Sequence, residues 1–169
     1  AELYFRLKEE SIDYLIEKTI QSPSKSGDEC KLPPEWDMAN VLHAYFKDDY
    51  RCGSIKHNKW FYFKRNRWVE MEQGNKLRYE LSATISRLYT AKADSIIERC
   101  NGVDVNQDEH AKYKRLAGIY SDISMTLKKT SYKTNVMKEA AEIFYENDME
   151  FVSRLDKNPY LLCFTNGVF

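Results

Sequence analysis

The chain of 169 residues is poor in the residues that usually announce chemistry. Cys30, Cys52, Cys100 and Cys163 form no CxxC pair, and His43, His57 and His110 form no H-x3–5-H pair, so no compact zinc motif is spelled out. The four thiols read instead as small buried hydrophobes. The six glycines contain neither a GxxxxGK(S/T) loop nor GxGxxG, which leaves no recognisable cradle for nucleotide phosphates. HExxH and GxSxG are also missing, so nothing marks the chain as an enzyme and no cofactor or metal is expected. No apolar run approaches the roughly 20 residues that cross a bilayer. The opening AELYFRLKEES lacks the blocks of a signal peptide, and the expectation is an intracellular protein with no membrane partner. Excess charge of either sign is absent as well, with 26 basic against 26 acidic residues, which argues against a uniformly sticky polycation.

What is present is a globular composition, 31% charged and 14% aromatic. Ile12, Leu15, Ile16, Thr19 and Ile20 recur at helical spacing and predict a leading helix over residues 1–21. Three of the four prolines fall in residues 22–35, which read as a linker. The main domain is expected over 36–169. Met38, Val41, Leu42, Tyr45 and Phe46 predict a helix to about Asp49. Between Tyr50 and Met71 the period changes to that of strands, with Arg65-Asn66 as a tight turn. Leu77, Leu81, Ile85, Leu88 and Ile96 predict a long helix ended by Asn101-Gly102. Two further stripes run from Tyr113 to Leu127 and from Tyr132 to Phe144, the latter with Thr130 or Ser131 placed to cap it. The terminal NPYLLCFTNGVF reads as a strand, a type I′ turn at Asn166-Gly167 and a truncated second arm, which suggests a piece of a longer polypeptide. The fold class is therefore mainly α (α+β), a helical domain with a small antiparallel sheet at about 52–71 and a truncated C-terminal β-hairpin.

The carboxylates Glu139, Glu142, Glu146, Asp148 and Glu150 lie beside an apolar stripe and read as a solvated face. The positive signal is a segment without any carboxylate. From Arg51 to Trp68 the charged residues are Arg51, Lys56, Lys59, Lys64, Arg65 and Arg67, interleaved with Trp60, Phe61, Tyr62, Phe63 and Trp68. Cations that hold phosphates beside rings that stack on bases are what single-stranded nucleic acid requires. A two-residue turn at Arg65-Asn66 sets Lys64 opposite Arg67, Phe63 opposite Trp68, Tyr62 opposite Val69 and Trp60 opposite Met71. Alternation then assigns Trp60, Tyr62, Val69 and Met71 to a core face, and Phe61, Phe63 and Trp68 to the other with Lys59 and Glu70. The second face suits stacking, although burial between helices is the favoured reading for its rings, while for the basic tip binding and simple solvation weigh evenly. Like charges opposite each other destabilise a hairpin, so Lys64 against Arg67 is easier to explain with an anion between them. Lys128, Lys129 and Lys133, at the junction of two helices, form a second cluster, with Lys112, Lys114 and Arg115 one helix earlier. The candidate nucleic-acid-binding set is Lys59, Lys64, Arg65, Arg67, Trp68, Lys128, Lys129 and Lys133.

Three stretches carry a family resemblance: EWDMANVLHAYFKDDYRC (35–52), IKHNKWFYFKRNRWVEMEQGNKLR (55–78) and LDKNPYLLCFTNGVF (155–169). The chain from Trp36 resembles the domain preceding the helicase in the poxvirus-type primase-helicases of large nucleocytoplasmic DNA viruses. The resemblance implies a collar module that contacts DNA, single-stranded or forked, and leads into a hexameric superfamily 3 ATPase. It implies ATP and Mg in that parent, with a primase module further upstream, and no catalytic residue in this segment. Other viral replication factors are implied as possible partners, and the virus factory of the host cytoplasm as the location. The competing expectation is a protein-interaction module, for ring assembly or recruitment, that does not bind DNA.

Overall fold

A computed structural model describes residues 2–21, 32–102, 107–157, 163–164 and 167–168. Most of the expected linker, residues 22–31, lies outside the described residues. Helix α1 (Glu2–Gln21) carries Ile12, Ile16 and Thr19 into the common core, so it packs on the body. The Thr19 hydroxyl is satisfied twice, by the Ile16 carbonyl at 2.6 Å and the buried Tyr89 hydroxyl at 3.0 Å. Helix α2 (Glu35–Phe46) begins after Pro34, and Glu35 and Asp37 in its first turn complement the helix dipole. Its Met38, Ala39, Val41 and Leu42 are fully buried against α1 and α6.

Strands β1 (Tyr50–Ser54), β2 (Lys59–Lys64) and β3 (Arg67–Glu72) form an antiparallel sheet in the order β1-β2-β3. The β2–β3 register is the one expected from the turn, with Lys64 opposite Arg67, Phe63 opposite Trp68, Tyr62 opposite Val69 and Trp60 opposite Met71. Arg65 and Asn66 both have positive φ, 50° and 59°, as a type I′ turn requires. Trp60 anchors the sheet in the core, edge-on to Phe144 at 5.5 Å, with its indole N–H donated to Asn58 Oδ1 at 2.9 Å.

The expected long helix is interrupted. Helix α3 (Asn75–Glu80) passes through a π-helical turn at Leu81–Ile85 into α4 (Ser86–Gly102). Leu77, Leu81, Ile85, Tyr89 and Ala93 are buried at steps of four. Each such step drifts about 40° around a helix of 3.6 residues per turn, and one widened turn takes up part of that drift. Carbonyls near this turn are covered by hydroxyls, Ser86 Oγ donating to the Ser82 carbonyl at 2.5 Å and Ser124 Oγ to the Ser86 carbonyl at 2.9 Å. Helix α5 (Gln107–Thr126) packs on α4, and α6 (Thr130–Glu146) packs on α2 and β1. Neither Thr130 nor Ser131 caps α6. The capping position is Lys129, without a side-chain hydrogen bond, because the helix starts at Thr130 itself.

A four-residue helix that the apolar periodicity is too short to announce, α7 (Phe151–Arg154), follows. Strands β4 (Cys163–Phe164) and β5 (Gly167–Val168) pair with Phe164 opposite Gly167. Gly167 is thereby a strand residue and not the turn position that the Asn166-Gly167 dipeptide suggests, and this register sets apolar Cys163 opposite Val168. The architecture is mainly α with one three-stranded antiparallel sheet and the small terminal pair. Cys52 and Cys100 are buried free thiols, as expected. Among the described residues no helix is long and apolar enough to cross a membrane.

Candidate nucleic-acid interface

The β2–β3 hairpin carries five of the candidate residues, and the fold treats them differently. Lys59 is half-buried and pairs with Glu70 across the strands, Nζ to carboxylate at 3.0 Å. Arg51 is likewise claimed by an acid from far along the chain, Asp148 at 3.3 Å, and Asp148 also holds Arg154. Lys64, Arg65 and Arg67 at the tip are exposed, and among the described residues no carboxylate lies at ion-pair distance from them. The local sequence accepts a cost to put a cation there. Arg65 adopts a left-handed conformation that disfavours a non-glycine residue by roughly 1 kcal/mol, where glycine or asparagine would serve the turn better.

The aromatic face open to stacking is largely filled. Phe151 of α7 sits edge-on to both Phe61 at 5.2 Å and Trp68 at 5.0 Å, and the Arg51 guanidinium lies 5.0 Å from the Trp68 ring centre. Phe63 adds a tilted contact to Trp68 at 5.2 Å. Trp68 is thereby half-buried and enclosed by three neighbours, and Phe63, 44% exposed, is the ring left open to solvent on this face. The open cleft beside these rings, about 770 Å³, is lined by Arg51, Asn66, Arg67 and Arg154 and also by Glu70, Asp148 and Asp156, so its charge is mixed.

On the opposite face the structure supplies a cation that residue spacing does not reveal. Lys76, on α3, holds its ammonium over the Tyr62 ring, 3.4 Å from the ring centre. The interaction with Lys76, followed by the charges of Lys64 and Arg67, holds the Tyr62 phenol below its ordinary 10.0, against partial burial that pushes it up. Signal for Lys76 was present only as a basic residue in a short helix. Its approach to Tyr62 depends on how α3 leaves β3 at Gly74.

The second cluster is partly brought together. Lys128 and Lys129 are exposed at the α5–α6 junction. Lys133 is half-buried and donates to Ser82 Oγ at 2.9 Å, so it supports the π-turn. Arg78, which sequence reasoning missed, reaches this junction from α3 and donates to the Thr130 carbonyl at 3.2 Å and Thr134 Oγ1 at 3.1 Å. Lys112, Lys114 and Arg115 stand apart, since about 16 Å of helix separates Arg115 from the end of α5.

These features define a mainly α domain built around a β-hairpin with a cationic tip. The chain belongs to the family described as D5 N terminal like, which residues 39–169 match. It is 29% identical over 166 residues to a protein of Acanthamoeba polyphaga mimivirus named as helicase L207/L206. It is 27% identical over 160 residues to a protein of Frog virus 3 (isolate Goorha) named as helicase 022R. The alignments cover 98% and 78% of this chain, and the chain spans 16% of the length of each relative.

Proposed function

We propose that the chain is the non-catalytic DNA-binding collar of a viral replicative helicase, guiding DNA into a downstream hexameric superfamily 3 ATPase. ATP and Mg would act in that motor and not in this segment. The observation that carries the reading is the hairpin tip, where Lys64, Arg65 and Arg67 are exposed and unpaired with any described carboxylate. Lys128 and Lys129 extend the cationic surface, while Lys59, Lys133 and Trp68 serve as supports because each is already engaged within the fold. Helicase names on both relatives favour a nucleic-acid role for the parent.

Titration of labelled single- and double-stranded DNA with the full chain at two salt concentrations tests this. Affinity is expected to fall as salt rises, and joint reversal of Lys64, Arg65 and Arg67 to Glu should reduce the log–log salt slope by about two or more. Unchanged affinity in a triple variant with wild-type circular dichroism would refute it.

A second reading, a protein-interaction module, is favoured by one surface. Tyr14 of α1 is 64% exposed, and on another side of the same helix a groove of about 660 Å³ is lined by Ile12, Ile16, Tyr45 and Leu88 together with charged residues such as Lys8, Asp13, Lys92 and Arg99. It predicts no salt-dependent DNA affinity, with self-association in light scattering that a Tyr14→Glu variant abolishes.

A further inference from the structure

We infer that Tyr62, Lys64, Arg67 and Lys76 together form one phosphate-binding site, on the α3 side of the hairpin, that takes a backbone phosphodiester of nucleic acid. This rests on the collar reading and adds to it which face of the hairpin the strand follows. Alternation along β2 puts Lys64 on the same side as Tyr62, and the register sets Arg67 directly opposite Lys64. Lys76 arrives from a different element and lies over the Tyr62 ring at 3.4 Å. Lys76 thus lies against a half-exposed phenol whose strand positions are shared by the exposed Lys64 and its cross-strand partner Arg67.

Glu70 is on the other face with Lys59. Glu80 and Asp49 border the site on the side of Tyr50, the strand partner of Tyr62, and act on the Tyr50 hydroxyl. The charges that act on the Tyr62 hydroxyl are those of Lys76, Lys64 and Arg67, all positive. Such a cluster repels itself unless an anion is shared. A phosphodiester suits the donor set. The Arg67 fork offers parallel N–H donors, the two ammonium groups supply charge, and the phenol O–H donates to the same oxygens. The Trp68 face, filled by Phe151 and balanced by Asp148 and Glu70, offers no equivalent.

The test compares Tyr62→Phe, Lys76→Gln and Lys76→Arg with the wild-type full chain, using a labelled single strand over a range of salt. Removing the phenol oxygen keeps the ring beneath Lys76 and is expected to weaken binding about fivefold with the salt slope unchanged. Lys76→Gln should weaken binding and lower the slope by about one, while Lys76→Arg restores the slope. Lys56→Gln, exposed in the turn between β1 and β2, should leave both unchanged. If Arg65→Glu weakens binding while Tyr62→Phe and Lys76→Gln bind as wild type, this site is wrong and the collar reading stands. Absence of salt-dependent binding in the wild type overturns both.

Discussion

Gly74 joins the sheet to α3 with a left-handed backbone, φ +66°. A Cβ built there would lie 2.9 Å from Met137 Cε and 3.2 Å from two atoms of the Trp60 indole. Both neighbours are buried, and Trp60 has no room to give. Gly74→Ala is therefore expected to lower stability by about 2 kcal/mol, from backbone strain plus overpacking, read as a shift in the urea midpoint at unchanged slope. The same residue shows why Lys76 escaped the sequence reading. Gly74 is legible as a helix boundary, yet the direction in which α3 leaves that boundary is set by its contact with Trp60 and Met137, more than a dozen positions away in either direction.

At the scale of elements, the β2–β3 hairpin and α7 divide what local sequence can and cannot decide. The hairpin register was readable because a two-residue turn and period-two alternation determine it jointly. The occupancy of its aromatic face was not, since Phe151 comes from a four-residue helix too short to show a period. Placing Asn-Gly at the turn, by Arg65→Asn with Asn66→Gly, should stabilise the protein by about 0.5–1 kcal/mol through relief of the left-handed backbone. Under the proposed function the same double variant binds DNA more weakly, having lost one cation. Thermal melts and DNA titration on one sample would register the two effects moving in opposite directions, and a variant that gained neither stability nor lost affinity would contradict the account of the tip.

For the whole molecule, the interior holds neutral groups that water would let ionise. Burial pushes Cys52 from 9.0 up to about 11 and Tyr50 and Tyr120 from 10.0 up to about 12, and it pushes Tyr89 and Tyr132 up as well. In the unfolded chain these groups keep their ordinary values and lose protons first as pH rises. The stability they represent is complete below about pH 9 and is lost as pH climbs through the folded values. Urea midpoints should therefore hold steady from neutrality to about pH 9 and fall steeply above about pH 10, without dependence on DNA. A flat profile to the alkaline limit would mean that these phenols and the thiol are open to solvent.

The residue order by itself determined the helices with long apolar stripes, the mainly α class, the hairpin register and the absence of acids from Arg51 to Trp68, because each depends on neighbours within a few turns or one strand pair. Tertiary structure alone decided which of those cations stay free. Asp148 reaches Arg51 across 97 positions, Phe151 closes over Trp68, and Lys76 is carried to Tyr62. Charge neutralisation and ring burial are properties of packed surfaces, and packing joins residues whose spacing along the chain carries no period.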